Sequence, residues 1–280
     1  DSATRAQDED LRMLAIRAHV NTARVAMQLK RFEEAAMALN MAGKILSAAP
    51  ASHDKTDGLV NLALGYRDFA PGQPDSHARS LTQAAVLLQE AASMAEEQGD
   101  ARLVSYAYGH LGHLYEGERR LDEALQLTRR AVFAAQSIQA PESLYRWQWQ
   151  SGRLLTRLGK LDDALSAYQE AAATLQPIRA QVTFASQTSL EPDQQSIRSL
   201  YFELADLLLQ RAALMGDDRE AEPYLRAARD AIEAYKAAEL RDYFRDDCVD
   251  QIQARLTKLE AVSPSTAIIY PIMFSDRTEL

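Results

Sequence analysis

Leu121-Asp-Glu-Ala-Leu125 recurs as Leu161-Asp-Asp-Ala-Leu165, 40 positions later. The register holds beyond that pentapeptide. Gly112 meets Gly152, Leu114 meets Leu154, Ala131 meets Ala171 and Gln136 meets Gln176, while Ala84 lies another 40 residues before Ala124. Arg31-Phe-Glu-Glu-Ala35 and Arg219-Glu-Ala221 read as further copies of the same helix start, displaced by insertions at 70–77 and 177–195. Self-similarity at this spacing confines the chain to a stack of supersecondary units, each burying its apolar face only against its neighbours.

The period inside each unit is helical, because apolar residues recur at three and four spacing on both sides of a short polar turn. In the first helix Leu11, Leu14, Ala15, Ala18, Thr22, Val25, Ala26 and Leu29 form the predicted buried stripe, with Arg12, Arg17, Arg24 and Gln28 off it. Small residues stand where helices would cross closely: Ala23, Gly65, Gly112 and Gly152 in first helices, Ala35, Ala84, Ala124 and Ala164 in second ones. The expected fold is all-α, about five helical hairpins wound into a right-handed solenoid. The composition agrees, since 47% hydrophobic and 25% charged residues with 11 Gly and 9 Pro suit a packed helical protein.

Charge and motifs exclude several functions. With 31 Lys plus Arg against 40 Asp plus Glu, the net charge of −9 repels phosphate backbones and anionic lipid, so neither nucleic acid nor a membrane surface is expected as a partner. No apolar run reaches the roughly 20 residues that cross a bilayer. Cys248 is the only cysteine, which rules out an internal disulfide framework. The chain starts at Asp1 rather than Met, so a start signal or leader is expected to lie outside it, and the compartment, cytoplasmic or exported, is not readable. No His has Glu three positions before it, which removes the di-metal bundle pattern. His110 and His113, at i and i+3, lack an evident third ligand. Phosphate-loop, dinucleotide and nucleophile-elbow motifs are absent, so no cofactor is expected.

Leu111-Gly112, Tyr115, Ala124 and Ala131, and again Gly152, Ala164, Tyr168 and Ala171, resemble the small-residue pattern of the tetratricopeptide repeat over most of residues 1–240. The period of 40 departs from the family's roughly 34 and implies longer helices. This resemblance implies that first helices line a concave face. Mapped there, the candidate peptide-binding residues are Arg17, Asn21 and Arg24 with Gln28, then Tyr66, His110 and His113, then Arg146, Trp149, Gln150, Arg153 and Arg157. Spacings of seven and eleven put Arg146, Arg153 and Arg157 within about 20° of one line on a helix. Such a basic, aromatic inner face suits a protein or peptide partner, particularly an acidic one, with Trp149 as an apolar anchor. The other reading of the same residues is a solvated stripe, or one paired with Asp and Glu of neighbouring helices.

Near the C-terminus, Ala238-Glu-Leu-Arg-Asp-Tyr-Phe-Arg-Asp-Asp-Cys248, then Ala267-Ile-Ile-Tyr-Pro-Ile272, then Asp276-Arg277-Thr278-Glu279 resemble the entry to a CHAT domain, a caspase-like domain that follows tetratricopeptide repeats. The resemblance implies a repeat domain over 1–262, including a linker helix at 238–260, and the first strand and turn of a CHAT domain over 263–280. It also implies a cysteine peptidase whose His/Cys pair lies beyond Leu280, with Cys248 a linker residue, so this fragment is expected to be no enzyme. Independently of any family, 267–274 is β-branched and aromatic and Ser275-Asp276 is turn chemistry, which predicts a strand or short hairpin. Two functions remain expected: the sensor or substrate-recruiting arm of such a peptidase, or a self-associating module whose termini or hairpin edge make a homodimer. The segment 176–195, rich in Pro, Ser and Thr, is expected to be a surface excursion or a lid over the groove, its first part extending the preceding helix from Ile178 to Phe184.

Overall fold

The structure is a computed structural model that describes residues 2–69, 77–182, 197–244 and 269–279. Ten α-helices stand among the described residues: α1 (Ser2–Gln28), α2 (Phe32–Ser47), α3 (His53–Phe69), α4 (His77–Gln98), α5 (Ala101–Gly117), α6 (Leu121–Ser137), α7 (Pro141–Arg157), α8 (Leu161–Leu175), α9 (Ile197–Ala213) and α10 (Asp218–Phe244). They pair as α1/α2, α3/α4, α5/α6, α7/α8 and α9/α10, and each hairpin packs on the next to make the expected solenoid of five units. First helices also touch first helices along the stack: α1 packs on α3, α3 on α5, and α5 on α7.

Two helices of 17 residues each, α5 and α6, make up most of the repeat, and short turns close it. Arg119 donates from its backbone N to the Glu116 carbonyl and Arg120 donates to Tyr115, which ends α5 in a Schellman motif around a left-handed residue. Gly159 and Lys160 repeat this one period later, and Lys30 and Arg31 do the same after α1. Between hairpins the motif recurs at Gly99 and at Gln139. Three of these left-handed positions are occupied by Lys30, Arg119 and Gln139, with φ of 58°, 59° and 51°. Asp100 then caps α5, its Oδ1 accepting from the Leu103 N–H at 3.0 Å, and Pro141 opens α7 where its missing N–H costs nothing.

Small residues do set the close approaches. A Cβ on Gly152 would lie 2.7 Å from the Tyr168 ring of α8, and one on Gly65 would lie 2.6 Å from Leu39 of α2. Ala35, Ala84, Ala124 and Ala164 are fully buried at the partner helices. The first helix departs from expectation. Its buried stripe is Met13, Ile16, Val20, Ala23 and Ala26, whereas Leu11, Leu14, Val25 and Leu29 of the predicted stripe are exposed at 63%, 64%, 42% and 57%. Helix α1 carries two apolar stripes, and α2 covers the other one.

At the far end, β1 (Ile272–Met273) pairs antiparallel with β2 (Thr278–Glu279), with Ile272 opposite Glu279 and Met273 opposite Thr278. Phe274 donates to the Arg277 carbonyl at 2.8 Å, so Ser275 and Asp276 form the turn. The hairpin rests on the last repeat: Ile272 is buried, Phe274 meets Phe202 of α9 edge to face at 6.0 Å, and Arg277 pairs with Asp206. Helix α10 runs without a break through 238–244. The remainder of the predicted linker helix, Cys248, the strand expectation before 269 and the insertion at 70–76 lie outside the described residues. Of the excursion at 176–195, the described part is a 3-10 turn over Gln176–Ile178 followed by helical backbone to 182, in keeping with an extension of α8.

Candidate peptide-binding face

Helix α7 carries the candidate residues that make contacts on two sides. Trp147 and Trp149 are two residues apart, which on a helix turns them about 160° from one another. Trp147 points back and donates from Nε1 to Ser105 Oγ of α5 at 2.9 Å. Trp149 points forward and donates to Glu203 Oε2 of α9 at 2.7 Å, where the Tyr168 hydroxyl also donates at 2.9 Å. Burial and the neighbouring Glu203 carboxylate both push the Tyr168 hydroxyl's pKa up, so that phenol remains a donor. Gln150 is buried as well and donates to the Gly109 carbonyl at 3.1 Å and to Thr128 Oγ1 at 2.7 Å. Trp149 and Gln150 therefore serve the stacking of hairpins.

Glu116 of α5 is the charged counterpart of these contacts. Arg153 donates to it through Nε and Nη2, each at 3.0 Å, and Arg157 Nη1 lies 3.3 Å from Oε1. His113 Nδ1 stands 3.5 Å away, one turn earlier on the same helix. Burial alone would raise the Glu116 pKa, but the hydrogen bonds from His113 and Arg153 outweigh it and hold the carboxyl at about 2. The Arg153 guanidinium also stacks over Trp149, 5.2 Å from the ring centre. Arg153 is mostly enclosed, with 11% of its side chain exposed, whereas Arg157 keeps 51% exposed.

Tyr106 and His110 of α5 and Arg146 of α7 are all half-buried. Tyr106 and His110 stack at 6.1 Å, and the Trp147 ring meets His110 edge-on at 5.2 Å. Burial, followed by the charges of Arg67, Arg146 and His113, pushes the His110 pKa well below 6.5, so its imidazole is neutral at physiological pH in a positive field. Arg67 is tied to Asp68 at 2.7 Å. On α1, Arg17 and Asn21 are exposed and Arg24 is half-buried, and Arg17 reaches Asp57 of α3 at 3.5 Å. Tyr66 is half-buried and its hydroxyl donates to Asn40 of α2 at 3.2 Å. His110, His113, Arg146, Arg153 and Arg157 thus gather on α5 and α7, and the α1 residues stand two hairpins away.

Sequence reasoning did not single out Glu116, Glu203, Tyr106, Trp147 or Arg67. A usable signal existed, since opposite charges on first helices one repeat apart meet in space: Arg17 with Asp57, Arg102 with Glu142, and Arg153 and Arg157 with Glu116. No cluster of three or more His, Cys, Asp or Glu side chains suited to a metal occurs among the described residues. None of their helices is long and apolar enough to cross a membrane.

No family model matches the chain, and no curated protein does. Among solved structures, the nearly identical tetratricopeptide-like repeats of a putative kinesin light chain from Podosopora anserina superpose with a TM-score of 0.53 at 16% identity, covering 77% of this chain and 94% of that one. A variant of the same protein with one residue replaced gives 0.54 at 17% identity, covering 77% and 93%. The pilF structure from Pseudomonas aeruginosa gives 0.47 at 18% identity, covering 88% and 99%. The two likenesses above 0.5 show that the chain has the tetratricopeptide-like repeat fold.

Proposed function

We propose that this chain is a non-catalytic protein-interaction scaffold that holds an acidic peptide along the inner face of α5 and α7. The observation that carries this reading is the stacked pair of half-buried Tyr106 and His110 rings on α5, with Arg146 of the neighbouring α7 and the half-exposed Arg157 on the same helix. In an acidic protein such a face attracts carboxylates locally, and the rings supply flat apolar area at low entropy cost. Arg146 and Arg157 meet the ligand. Fluorescence anisotropy with labelled Glu-rich peptides that carry one aromatic residue tests it. Affinity should fall steeply with added salt and be lost in Arg146→Glu with Arg157→Glu. Binding that ignores both changes would refute the acidic-peptide reading.

On the same reading the scaffold is the sensor or substrate-recruiting arm of a CHAT-type cysteine peptidase, with the repeat domain over 1–262 and the CHAT domain starting at 263. Support comes from the order of the 238–248, 267–272 and 276–279 segments and from the hairpin whose second strand starts at Thr278. The seating of that hairpin on α9 gives the repeat direct contact with whatever continues from β2. Residues 1–280 then cleave nothing. The coding sequence after Leu280 decides the matter: a His/Cys pair with strand-rich surroundings is expected, and an unrelated continuation rejects the peptidase.

A further inference from the structure

A cleft of about 630 Å³ opens between α4 and α6, on the side of α5 opposite to His110. Its floor is Tyr108, Leu111 and Tyr115 of α5, joined by Ala92 and Leu127 from the two walls. At one end the Tyr108 hydroxyl stands between opposite charges. It donates to Glu96 Oε1 of α4 at 2.8 Å and accepts from Arg130 Nη1 of α6 at 2.8 Å. Among the described residues no ion pair joins Glu96 to Arg130, so the phenol holds the acid and the base apart while both face one place. Burial, then the bond to Glu96, pushes the Tyr108 pKa up, and the hydroxyl keeps its proton. Arg130 also lies over the Tyr108 ring, 4.6 Å from its centre.

The stacking of hairpins does not require this set. One repeat later the positions of Glu96, Tyr108 and Arg130 hold Gln136, Gln148 and Glu170, and Gln148 donates to Glu170 at 3.4 Å. Leu111 and Tyr115 become Ser151 and Leu155 there, so that gap packs with neither the phenol nor the base. Helix α4 adds a second asymmetry. It ends at Gln98 with no basic residue in its last turn, and the negative end of its dipole reinforces Glu96 as a place for a cation.

We propose that this cleft binds a free α-amino acid with a large apolar side chain, its ammonium at Glu96, its carboxylate at Arg130 and its side chain over Leu111 and Leu127. Charge selects the head group. An α-amino acid carries cation and anion on one carbon, so it answers both charges that share the Tyr108 hydroxyl, whereas a simple anion meets Glu96 and a simple cation meets Arg130. Length selects the side chain. Tyr108 and Tyr115 are seven residues apart on α5, about 10 Å along its axis, and an aromatic side chain covers the apolar floor between them where glycine leaves it to water. The volume is that of a small-ligand site, roughly 300–1,000 Å³. Because the cleft and the proposed peptide face lie on opposite sides of α5, each stands or falls without the other.

Ligand-observed NMR titration of the full chain with L-phenylalanine, L-tryptophan and glycine is the test. The two aromatic amino acids should bind with Kd of about 0.1–1 mM, and glycine about tenfold or more weakly. N-acetylphenylalanine and phenylalaninamide, each lacking one charge of the head group, should bind about fivefold or more weakly than phenylalanine. Glu96→Gln and Arg130→Gln should each weaken phenylalanine to the same degree with unchanged far-ultraviolet circular dichroism, since both side chains are exposed. No binding of either aromatic amino acid at about 10 mM overturns the proposal. Binding that survives both substitutions overturns it, as does glycine or either blocked form binding as tightly as phenylalanine.

Discussion

Replacing Glu116 with Gln removes the charge from the buried carboxylate that joins α5 to α7 and leaves the enclosed Arg153 guanidinium without its counter-ion. Glu116 is held at about 2 against 4.5 for a free carboxyl. At about 1.4 kcal/mol for each tenfold change in proton affinity, its ionised form contributes roughly 3 kcal/mol to folding. Breaking a buried pair on one side costs about 3–5 kcal/mol, so the two routes agree in scale. Because the folded value is depressed, this stability is fully present above about pH 4.5 and is lost as pH falls towards 2. At about pH 3.5 the wild-type chain should have lost roughly 1.4 kcal/mol of it, whereas the Glu116→Gln variant has nothing to lose there. Urea unfolding of both proteins at about pH 7 and about pH 3.5 reads the difference, and the His110 contribution is common to both and cancels. The variant should be about 3 kcal/mol weaker at neutral pH, with the gap narrowing to roughly half on acidification. Two curves that stay parallel would show that Glu116 is not held in its ionised form by this cluster, and the account of the inner face would fail with it.

Gly109→Ala should destabilise by about 2 kcal/mol or more, although Ala is ordinarily the better helix former, because the new Cβ would stand 2.3 Å from the Trp147 ring. A variant as stable as the parent by thermal melting would mean that α5 and α7 are not in the contact described. Gln139→Gly should stabilise by roughly 0.5–1 kcal/mol, since Gln139 holds φ at 51° on an exposed turn and glycine occupies that region without a Cβ penalty. Loss of stability on that substitution, in the same melting assay, would contradict the Schellman geometry at this turn.

The repeat and its phase were readable because they depend on features a linear pattern records: a helix start at Phe32, Leu121 and Leu161, and small residues at fixed intervals. What misled was a choice between faces. Helix α1 offers Leu11, Leu14, Val25 and Leu29 on one side and Met13, Ile16 and Val20 on another, and periodicity alone does not say which one meets α2. The turns hid for a different reason, since Lys30, Arg119 and Gln139 are not residues that advertise a left-handed conformation, and only the period places them there. Helical-wheel arithmetic put Arg146, Arg153 and Arg157 on one line of α7. It could not show that Glu116, a repeat earlier, takes two of the three, because that contact belongs to the stacking geometry. The strand or short hairpin expected from 267–274 and the Ser275-Asp276 turn is present as β1 and β2 among the described residues.

In a solenoid the same helices must both touch their neighbours and line the groove, so each inner residue is assigned by its angle. On α7, Trp147 leaves the inner line backwards to Ser105 and Trp149 leaves it forwards to Glu203, which consumes both rings in stacking. The line between them carries Arg146, Arg153 and Arg157. Glu116 then divides these by burial. A ligand carboxylate arriving from water must give up its hydration to compete with a carboxylate already desolvated and held at about 2. It has no means of drawing Arg153, 11% exposed and stacked on Trp149, out of that arrangement. Arg157, half exposed and bound to Glu116 through longer contacts of 3.3 Å to Oε1 and 3.5 Å to the backbone carbonyl, can rotate to share its charge. On the proposed reading, selectivity for an acidic partner would therefore rest on Arg146 and Arg157, while Arg153 ties α7 of the fourth hairpin to Glu116 of α5 in the third.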